Sequence, residues 1–335
     1  MPGAWLGSTS GRQLSRAEAV LPQALRQIPL CVESGVERWR ATSRHWTSTG
    51  TAAFKVALDD GPAEAIVRIA PSGRDRLQRE TWVLGALGRQ ELGADLLTVL
   101  PQRLGSGEAG GMPFVADRLL PGASVRAGDE TVQAAATTLV TELHHRTARP
   151  ITVDEARLSA WVDQPLAVIA GALRRGPLPP PRGALRRVSA LLRQDLAGRP
   201  VQACWIHGDF WTDNLLVDGS TSAITGIIDW DLAASEELPV HDVLHLLLHA
   251  RAQSAGIDLG DVLCSLLEGA SWSDHERSVL DTAAWSLTNG VPDRSLVLLY
   301  WLRHVAAVAV QQRSYVDHSV LVWRLRNIHR VLRRI

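Results

Sequence analysis

The sequence predicts an α+β protein with two parts, a small strand-rich N-terminal part and a larger, mostly helical C-terminal part. Between Val36 and Leu119, short apolar runs are bounded by Gly, Pro, Ser and Asp, which is typical of strands joined by hairpins. From Asp129 onward, apolar residues recur at helical spacing. The pair Pro121-Gly122 breaks the chain between the two patterns. We therefore expect one domain over residues 1–120 and a second over residues 121–335.

The N-terminal part is expected to form a five-stranded antiparallel sheet with one helix. Apolar runs predict strands over Thr51–Leu58, Ala65–Ile69, Val99–Leu104 and Pro113–Leu119. The helix is predicted over Asp75–Leu87, and an amphipathic helix over Leu14–Ile28 precedes the strands. In the C-terminal part, a strand-rich island over Trp205–Trp230 predicts a hairpin inserted among helices.

Composition restricts the class of protein. The 335 residues are 46% hydrophobic, enough for a sizeable core. Lys+Arg and Asp+Glu both number 35, and this absence of net charge argues against a dedicated nucleic-acid binder. The longest apolar run, Leu296–Val310, contains Arg303 and His304 and is too short to span a bilayer. No signal-like segment follows Met1. We expect neither a nucleic-acid nor a membrane partner, and a cytoplasmic location.

The segment Ile206–Val217 reads IHGDFWTDNLLV, and IIDWD follows at Ile227–Asp231. Asp209 and Asn214 are expected at the two ends of a tight loop, and a returning hairpin is expected to bring Asp229 beside Asn214. Carboxylate and carboxamide oxygens suit Mg²⁺. Phosphoryl transfer also needs a free carboxylate that orients the attacking hydroxyl and accepts its proton. Asp209 is the candidate for that carboxylate.

The His-Gly-Asp-x4-Asn run followed by Ile-Asp-Trp-Asp resembles the aminoglycoside phosphotransferase family. The resemblance implies a protein-kinase-like bilobal fold and a kinase that uses ATP or GTP with Mg²⁺. It makes Asp209 the catalytic base, and Asn214 and Asp229 the magnesium ligands. It also implies that Asp242 is a buried residue that holds the backbone of the catalytic loop.

The resemblance extends to the nucleotide-binding part. It implies that Arg68 is the phosphate-binding cation and that Glu80, on the predicted helix, is its ion-pair partner. The segment Phe114–Gly122 resembles the hinge that holds the adenine, with Ala116 and Arg118 as candidate contacts.

The loop before the second strand is a candidate phosphate cover. If it serves this role, backbone N–H groups around Thr49, Gly50 and Thr51 contact the phosphates. An ordinary hairpin turn explains the same residues equally well.

Two further patterns allow a structural and a functional interpretation. His241, His245 and His249 recur every four residues, and we expect helix packing rather than a metal site, because no further ligand pattern accompanies them. Trp211 and Trp230 flank the candidate catalytic residues and belong either to the core or to an apolar wall for the acceptor.

The sequence does not identify the acceptor molecule. Residues 231–293 are rich in acids and residues 294–335 are rich in arginine. The acids either attract a cationic acceptor, such as an aminosugar, or pair with the arginines. Three functions remain: a phosphotransferase for an aminoglycoside or other antibiotic, a metabolic or tailoring kinase for a nucleoside, sugar, choline-like alcohol or peptide Ser/Thr, and a non-catalytic nucleotide-binding pseudokinase. The oligomeric state is not predicted.

Overall fold

The computed structural model describes residues 6–47, 50–71, 74–125, 128–174, 181–283, 290–311 and 327–335. The chain divides into two compact units. The first consists of Met1–Ala123 together with Thr225–Asp231, and the second of Ser124–Ile224 together with Leu232–Ile335.

A five-stranded antiparallel sheet forms the centre of the first unit, as the sequence predicts. The strand order is β1-β2-β3-β5-β4. The strands are β1 (Trp39–Trp46), β2 (Ala52–Leu58), β3 (Ala63–Ile69), β4 (Arg103–Ala109) and β5 (Met112–Arg118). Alternate residues of β3, namely Ala65, Val67 and Ile69, are completely buried, which is the two-residue period of a strand with one face in the core.

The described residues of this unit include four α-helices, where the sequence pattern predicts two. They are α1 (Leu6–Leu25), α2 (Pro29–Ser34), α3 (Arg74–Leu87) and α4 (Ala94–Val99). The apolar face of α1, which includes Ala17, Leu21 and Ala24, is buried against the sheet. The strand predicted over Val99–Leu104 is present but begins later, as β4 at Arg103. Its predicted start was wrong, because Leu96 and Val99 bury one face of α4 at the i, i+3 helical spacing.

The second unit is mostly helical, again as predicted. Its helices are α5 (Glu130–Thr147), α6 (Glu155–Leu158), α7 (Gln164–Arg174), α8 (Ala184–Leu196), α9 (Val240–Ala255), α10 (Leu259–Leu267), α11 (Asp274–Ala283), α12 (Asp293–Gln311) and the helical residues 327–332. Apolar side chains from α7, α8, α9 and α12 form its main core. None of the described helices is long and apolar enough to cross a membrane.

Six short strands follow β5 in the described part of the chain. They are β6 (Ala123–Ser124), β7 (Arg149–Thr152), β8 (Pro200–Ile206), β9 (Leu215–Val217), β10 (Ile224–Ile227) and β11 (Ala234–Glu237). They form two three-stranded sheets, in the orders β11-β8-β7 and β10-β9-β6. The turn after β9 is closed by Asp218, whose carboxylate accepts the N–H groups of Ser220 and Thr221 at 2.9 and 3.0 Å. This arrangement is the inserted hairpin that the island over Trp205–Trp230 predicts.

Candidate active site

A tight loop after β8 carries the predicted catalytic residue. Gly208 has a φ of +82°, in the region that favours glycine. A Cβ atom at this position would lie 2.3 Å from the carbonyl oxygen of Leu232 and 2.8 Å from Nη2 of Arg303. Because a side chain would collide with backbone here, only glycine lets the chain turn sharply before Asp209.

Asp242, in the first turn of α9, holds the backbone of this loop. Its two carboxylate oxygens accept the N–H groups of His207 and Gly208, each at 2.8 Å. Nε2 of His144, on α5, lies 3.1 Å from Oδ2 of Asp242, and both side chains are completely buried. Burial raises the pKa of Asp242, but His144, His207 and the Gly208 N–H hold it below its ordinary value. The carboxylate therefore stays charged and keeps both backbone groups in place.

Arg303, on α12, is a second brace of the loop, and the sequence pattern did not predict it. Its guanidinium donates to the carbonyl oxygens of Gly208 and Leu232, both at 3.2 Å, and its Nε lies 3.4 Å from Oε1 of Glu237. In the sequence, Arg303 stands out only as an interruption of an apolar run. A single arginine in the apolar sequence of a buried helix is itself a signal, because a buried cation needs acceptors.

The Asp209 carboxylate is held at one oxygen and partly open to solvent. The amide nitrogen Nδ2 of Asn214 donates to the backbone oxygen of Asp209 at 2.8 Å and to Oδ2 at 3.1 Å. About a third of the Asp209 side chain is exposed, at 33%. The structure thus brings Asp209 and Asn214 together at the two ends of the loop, as the sequence predicts.

His245, on α9, faces the other oxygen of this carboxylate. Its Nε2 lies 3.1 Å from Oδ1 of Asp209, although the N–H direction is not aligned for a hydrogen bond. Burial raises the pKa of Asp209, and the adjacent His245 imidazole outweighs burial and holds that pKa below its ordinary value. Asp209 is therefore ionised at neutral pH. The histidine repeat in the sequence predicts only helix packing for His245, so this contact corrects that expectation.

In the first unit, Arg68 lies in a buried cluster of charges. Its Nη2 donates to Glu80 on α3 at 2.7 Å and to Asp117 on β5 at 2.8 Å. Arg103 on β4 contacts the other oxygen of Asp117 at 2.7 Å. Burial lowers the pKa of Arg68, but Glu80 and Asp117 outweigh it and raise the pKa above its ordinary value. The sequence predicts the contact between Arg68 and Glu80, but not those of Asp117 and Arg103.

Asp229 follows β10 and keeps a carboxylate that is half exposed. Its φ of +62° is in the left-handed region, which an aspartate adopts at a cost. Oδ1 of Asp229 lies 3.8 Å from Nη1 of Arg68, whereas Glu80 and Asp117 both accept from Nη2. Nearby, Asp231 is paired with Arg76 at 2.5 Å.

The candidate phosphate loop is a closed turn over its described residues. The N–H of Gly50 donates to the backbone oxygen of Thr47 at 3.2 Å, and the N–H of Thr51 donates to Oγ1 of Thr47 at 3.1 Å. Thr49 lies outside the described residues. Both N–H groups are thus satisfied within the turn, which favours the hairpin interpretation. Phosphate contact by them would require the turn to open.

The candidate adenine contacts lie on β5, between two other strands. Ala116 is completely buried and pairs with Val67 on one side and Gly105 on the other. Arg118 is exposed, and its N–H donates to the carbonyl oxygen of Gln102 at 2.8 Å. The adenine-binding role of Ala116 and Arg118 stays a prediction.

Comparison with known protein families tests whether these side chains belong to a phosphotransferase. Residues 48–267 match the family described as the phosphotransferase enzyme family, which is about two thirds of the chain. The chain belongs to the phosphotransferase enzyme family. No curated protein matches it significantly.

Solved structures of phosphotransferases share the fold. A thermostable mutant of aminoglycoside phosphotransferase APH(4)-Ia, solved with ADP and hygromycin B, is 16% identical, with 91% of this chain and 97% of that chain covered and a TM-score of 0.52. A putative aminoglycoside phosphotransferase from Ralstonia eutropha JMP134 is 12% identical, with coverages of 95% and 96% and a TM-score of 0.54. APH(3'')-Id from Streptomyces rimosus, with ADP and streptomycin, is 17% identical, with coverages of 85% and 98% and a TM-score of 0.50.

Membership in the phosphotransferase enzyme family confirms the resemblance and the kinase-like fold. The chain is an enzyme that binds a nucleotide and transfers a phosphoryl group to a hydroxyl of a small molecule. Among the three functions left open by the sequence, this excludes the non-catalytic module.

Burial and ion pairing bear on two questions that the sequence leaves open. Trp230 is completely buried and its Nε1 donates to Ile227, so it belongs to the core, whereas Trp211 stays partly exposed beside the loop. Among the described residues, four acids of 231–293 pair with arginines of 294–335: Glu237 with Arg303, Asp258 and Asp261 with Arg330, and Glu268 with Arg334. Glu276 pairs with Arg251, inside the acidic stretch itself. These contacts favour the interpretation in which the acidic and arginine-rich stretches pair with each other.

Proposed function

We propose that Asp209 is the general base that accepts the proton of the acceptor hydroxyl during transfer of the γ-phosphoryl group from ATP or GTP. The observation that carries this assignment is the state of the Asp209 carboxylate: ionised, fixed at Oδ2 by Asn214, and still a third exposed. A base must be charged, positioned and reachable by its substrate, and Asp209 combines all three properties.

The same loop explains how the base keeps its place. Asp242 and Arg303 hold the backbone on either side of Gly208, and Asn214 holds the carboxylate itself. Catalysis of phosphoryl transfer depends mainly on positioning and electrostatic stabilisation. A loop braced from two helices and from its own far end therefore suits this reaction.

Asn214 and Asp229 have the donor atoms that a magnesium ion prefers. The Nδ2 group of Asn214 is used by Asp209, which leaves its Oδ1 without a partner among the described residues. Asp229 has a carboxylate that is 51% exposed. Hard oxygen donors of this kind fit Mg²⁺, which retains several waters and needs few protein ligands. A bound Mg²⁺ would neutralise charge on the triphosphate.

We assign phosphate binding to Arg68, with Glu80 as the residue that orients it. Glu80 and Asp117 fix Nη2 of Arg68, and Nη1 points toward Asp229. A guanidinium held in this way has little rotational freedom left to lose when it contacts an anion.

For the acceptor, we place aminoglycosides first, because solved relatives of this fold bind hygromycin B and streptomycin together with ADP. A second candidate has specific support. Five of the acids that would attract a polycation are paired with arginines, which favours a less charged alcohol such as a nucleoside, a sugar, a choline-like alcohol or a peptide Ser/Thr. The partly exposed Trp211 would then offer an aromatic surface beside Asp209.

A nucleotide-consumption screen tests the acceptor. The purified chain is given ATP or GTP with Mg²⁺ and one acceptor at a time from both classes, and ADP or GDP release is followed by a coupled assay. Acceptor-stimulated release with an aminoglycoside supports the first candidate. Stimulation by a nucleoside, sugar, choline or peptide but by no aminoglycoside contradicts it and supports the second.

Substitution of Asp209 tests the base. We expect Asp209→Asn to lower transfer about 10²–10⁴-fold, the usual contribution of a general base, with nucleotide affinity nearly unchanged. Asp213→Asn is the matched control, because Asp213 is exposed in the same loop and should leave the rate close to that of the parent. Parent-level transfer by Asp209→Asn would show that another group accepts the proton.

A further inference from the structure

Three imidazoles meet inside the second unit, directly behind the catalytic carboxylate. His245 and His249 lie one turn apart on α9, and His304 comes from α12. One nitrogen from each ring lies within 4.8 Å of the others. The ring centroids of His245 and His249 are 4.2 Å apart, and His304 lies 4.9 Å from His245. In the sequence, no further ligand pattern accompanies the repeat at His241, His245 and His249. The fold adds His304 from another helix to His245 and His249, whereas His241 lies outside the cluster.

The nitrogen atoms are arranged as those of a ligand set. Nδ1 of His245 is 3.0 Å from the buried hydroxyl of Tyr300, which leaves Nε2 to face inward. Nε2 of His249 is enclosed and has no hydrogen-bond partner among the described residues. A buried polar atom without a partner costs free energy, and a bound ion would remove that cost. Two histidines at i, i+4 on one helix face can bind a single metal ion.

The protonation state of the imidazole rings is compatible with metal binding. Burial lowers the pKa of His304 to about 3 and also lowers the pKa of His249 well below its ordinary value. Both rings are neutral at physiological pH and have a lone pair available, as a metal ligand requires. Tyr300 would act as the outer partner that fixes the orientation of His245.

We propose that His245, His249 and His304 bind a transition-metal ion of the Zn²⁺ class, with the Asp209 carboxylate as the fourth donor. Oδ1 of Asp209 is already 3.1 Å from Nε2 of His245. In a tetrahedral zinc site with bonds of about 2.0–2.1 Å, neighbouring donor atoms lie about 3.3 Å apart, so nitrogens that now lie within 4.8 Å of one another need to approach by up to about 1.5 Å. Imidazole nitrogen disfavours Mg²⁺, so this site is distinct from the magnesium ligands Asn214 and Asp229.

Occupation of the site would stop transfer. A carboxylate that donates its electrons to a metal ion no longer accepts the hydroxyl proton. Zn²⁺ is therefore expected to inhibit the enzyme without competing with nucleotide. This consequence rests on the proposed role of Asp209, whereas ion binding by the three imidazoles does not.

Cobalt spectroscopy tests binding without any assay of transfer. The full chain is stripped with a chelator and titrated with Co²⁺, and the visible absorption of four-coordinate Co²⁺ is recorded. We expect one Co²⁺ per chain, displaced by Zn²⁺ but not by Mg²⁺. Loss of an outer-shell partner already weakens binding about 10–100-fold, so His249→Gln and His304→Gln should each weaken it by at least about 100-fold.

His241→Gln is the matched control, because His241 is buried on α9 one turn earlier and is outside the cluster. It should bind Co²⁺ like the parent. His249 is only half-buried, so His249→Gln keeps the test valid if His304→Gln does not fold. No four-coordinate Co²⁺ spectrum in the parent, or a spectrum that both glutamine variants retain, would overturn the proposal.

The role of Asp209 has its own outcome. Asp209→Asn should still bind Co²⁺ but with a changed spectrum, and micromolar Zn²⁺ should inhibit the parent but not His249→Gln. An unchanged Asp209→Asn spectrum would exclude Asp209 as the fourth donor. If no acceptor is phosphorylated under any condition, the proposed function fails, and the Co²⁺ spectrum still decides the metal site.

Discussion

The glycine before Asp209, the proposed catalytic base, offers a direct test of the loop geometry. Replacement of Gly208 by alanine imposes two separate costs. The first is conformational, because a non-glycine residue at a φ of +82° costs about 1 kcal/mol. The second is steric, because the new Cβ would lie 2.3 Å from the carbonyl oxygen and 2.9 Å from the carbonyl carbon of Leu232. These are backbone atoms, so they cannot rotate away.

Overpacking of this kind costs about 1–3 kcal/mol, so we expect Gly208→Ala to lower the free energy of unfolding by about 2–4 kcal/mol. The rate should fall as well, because relief of the collision displaces the backbone that Asp242 and Arg303 hold. Gly256→Ala is the matched control. Gly256 has a φ of +63°, and a Cβ atom added there would have no other atom within 4 Å, so only the conformational cost of about 1 kcal/mol applies.

Urea unfolding measures both free energies, and steady-state assay measures both rates. Equal destabilisation of Gly208→Ala and Gly256→Ala would refute the steric argument. A destabilised Gly208→Ala that retained the full rate would refute the link between loop position and catalysis.

Three further outcomes are expected. Asp242→Asn should lower the free energy of unfolding by about 2–6 kcal/mol in urea, because one buried N–H and His144 lose their acceptor. The difference from the parent should begin to shrink below about pH 4, where the unfolded carboxyl starts to bind a proton, and it should be lost as pH falls through the lower pKa of the folded carboxyl. Arg68→Gln should lower the free energy of unfolding in urea by about 3–5 kcal/mol, because Glu80 and Asp117 lose their shared cation. The pKa of His241 is about 3 in the folded chain and about 6.5 in the unfolded chain. Neutral His241 therefore contributes to the free energy of unfolding above pH 6.5, and this contribution is lost as pH falls toward 3. His241→Gln should flatten the pH dependence of the free energy of unfolding in that range, and an unchanged slope would contradict the assignment.

Local sequence was sufficient for much of the fold and for one half of the site. The five-stranded sheet follows from apolar runs bounded by turn residues, and α3 follows from its spacing. Asp209 and Asn214 are five residues apart, so one loop determines their contact. The error at Val99 has a local cause, because a short apolar run fits a strand or one face of a helical turn equally well.

Contacts between distant segments were not predictable. Arg303 reaches Gly208 across 95 residues, and His304 joins His245 and His249 only because α12 packs near α9. A repeat of histidines on one helix carries no information about a third ring from another. Asp117 was missed for a similar reason, since its two arginines come from different strands and only the sheet order brings them together.

The charge balance around Arg68 leads to a last expectation about the nucleotide. Two cations, Arg68 and Arg103, are matched by two buried carboxylates, Glu80 and Asp117, so the cluster has no surplus positive charge for a triphosphate. Asp229 adds a further negative charge 3.8 Å from Arg68. Under the proposed role of Arg68 as the phosphate ligand, we therefore expect a divalent cation to supply the missing charge. We expect ATP to bind at least ten times more weakly without Mg²⁺ in isothermal calorimetry, a difference of about 1.4 kcal/mol or more. Asp229→Asn should narrow that difference, since it removes both a metal ligand and the repulsion. Equal ATP affinity with and without Mg²⁺ in the parent would mean that an unrecognised cation of the chain holds the phosphates.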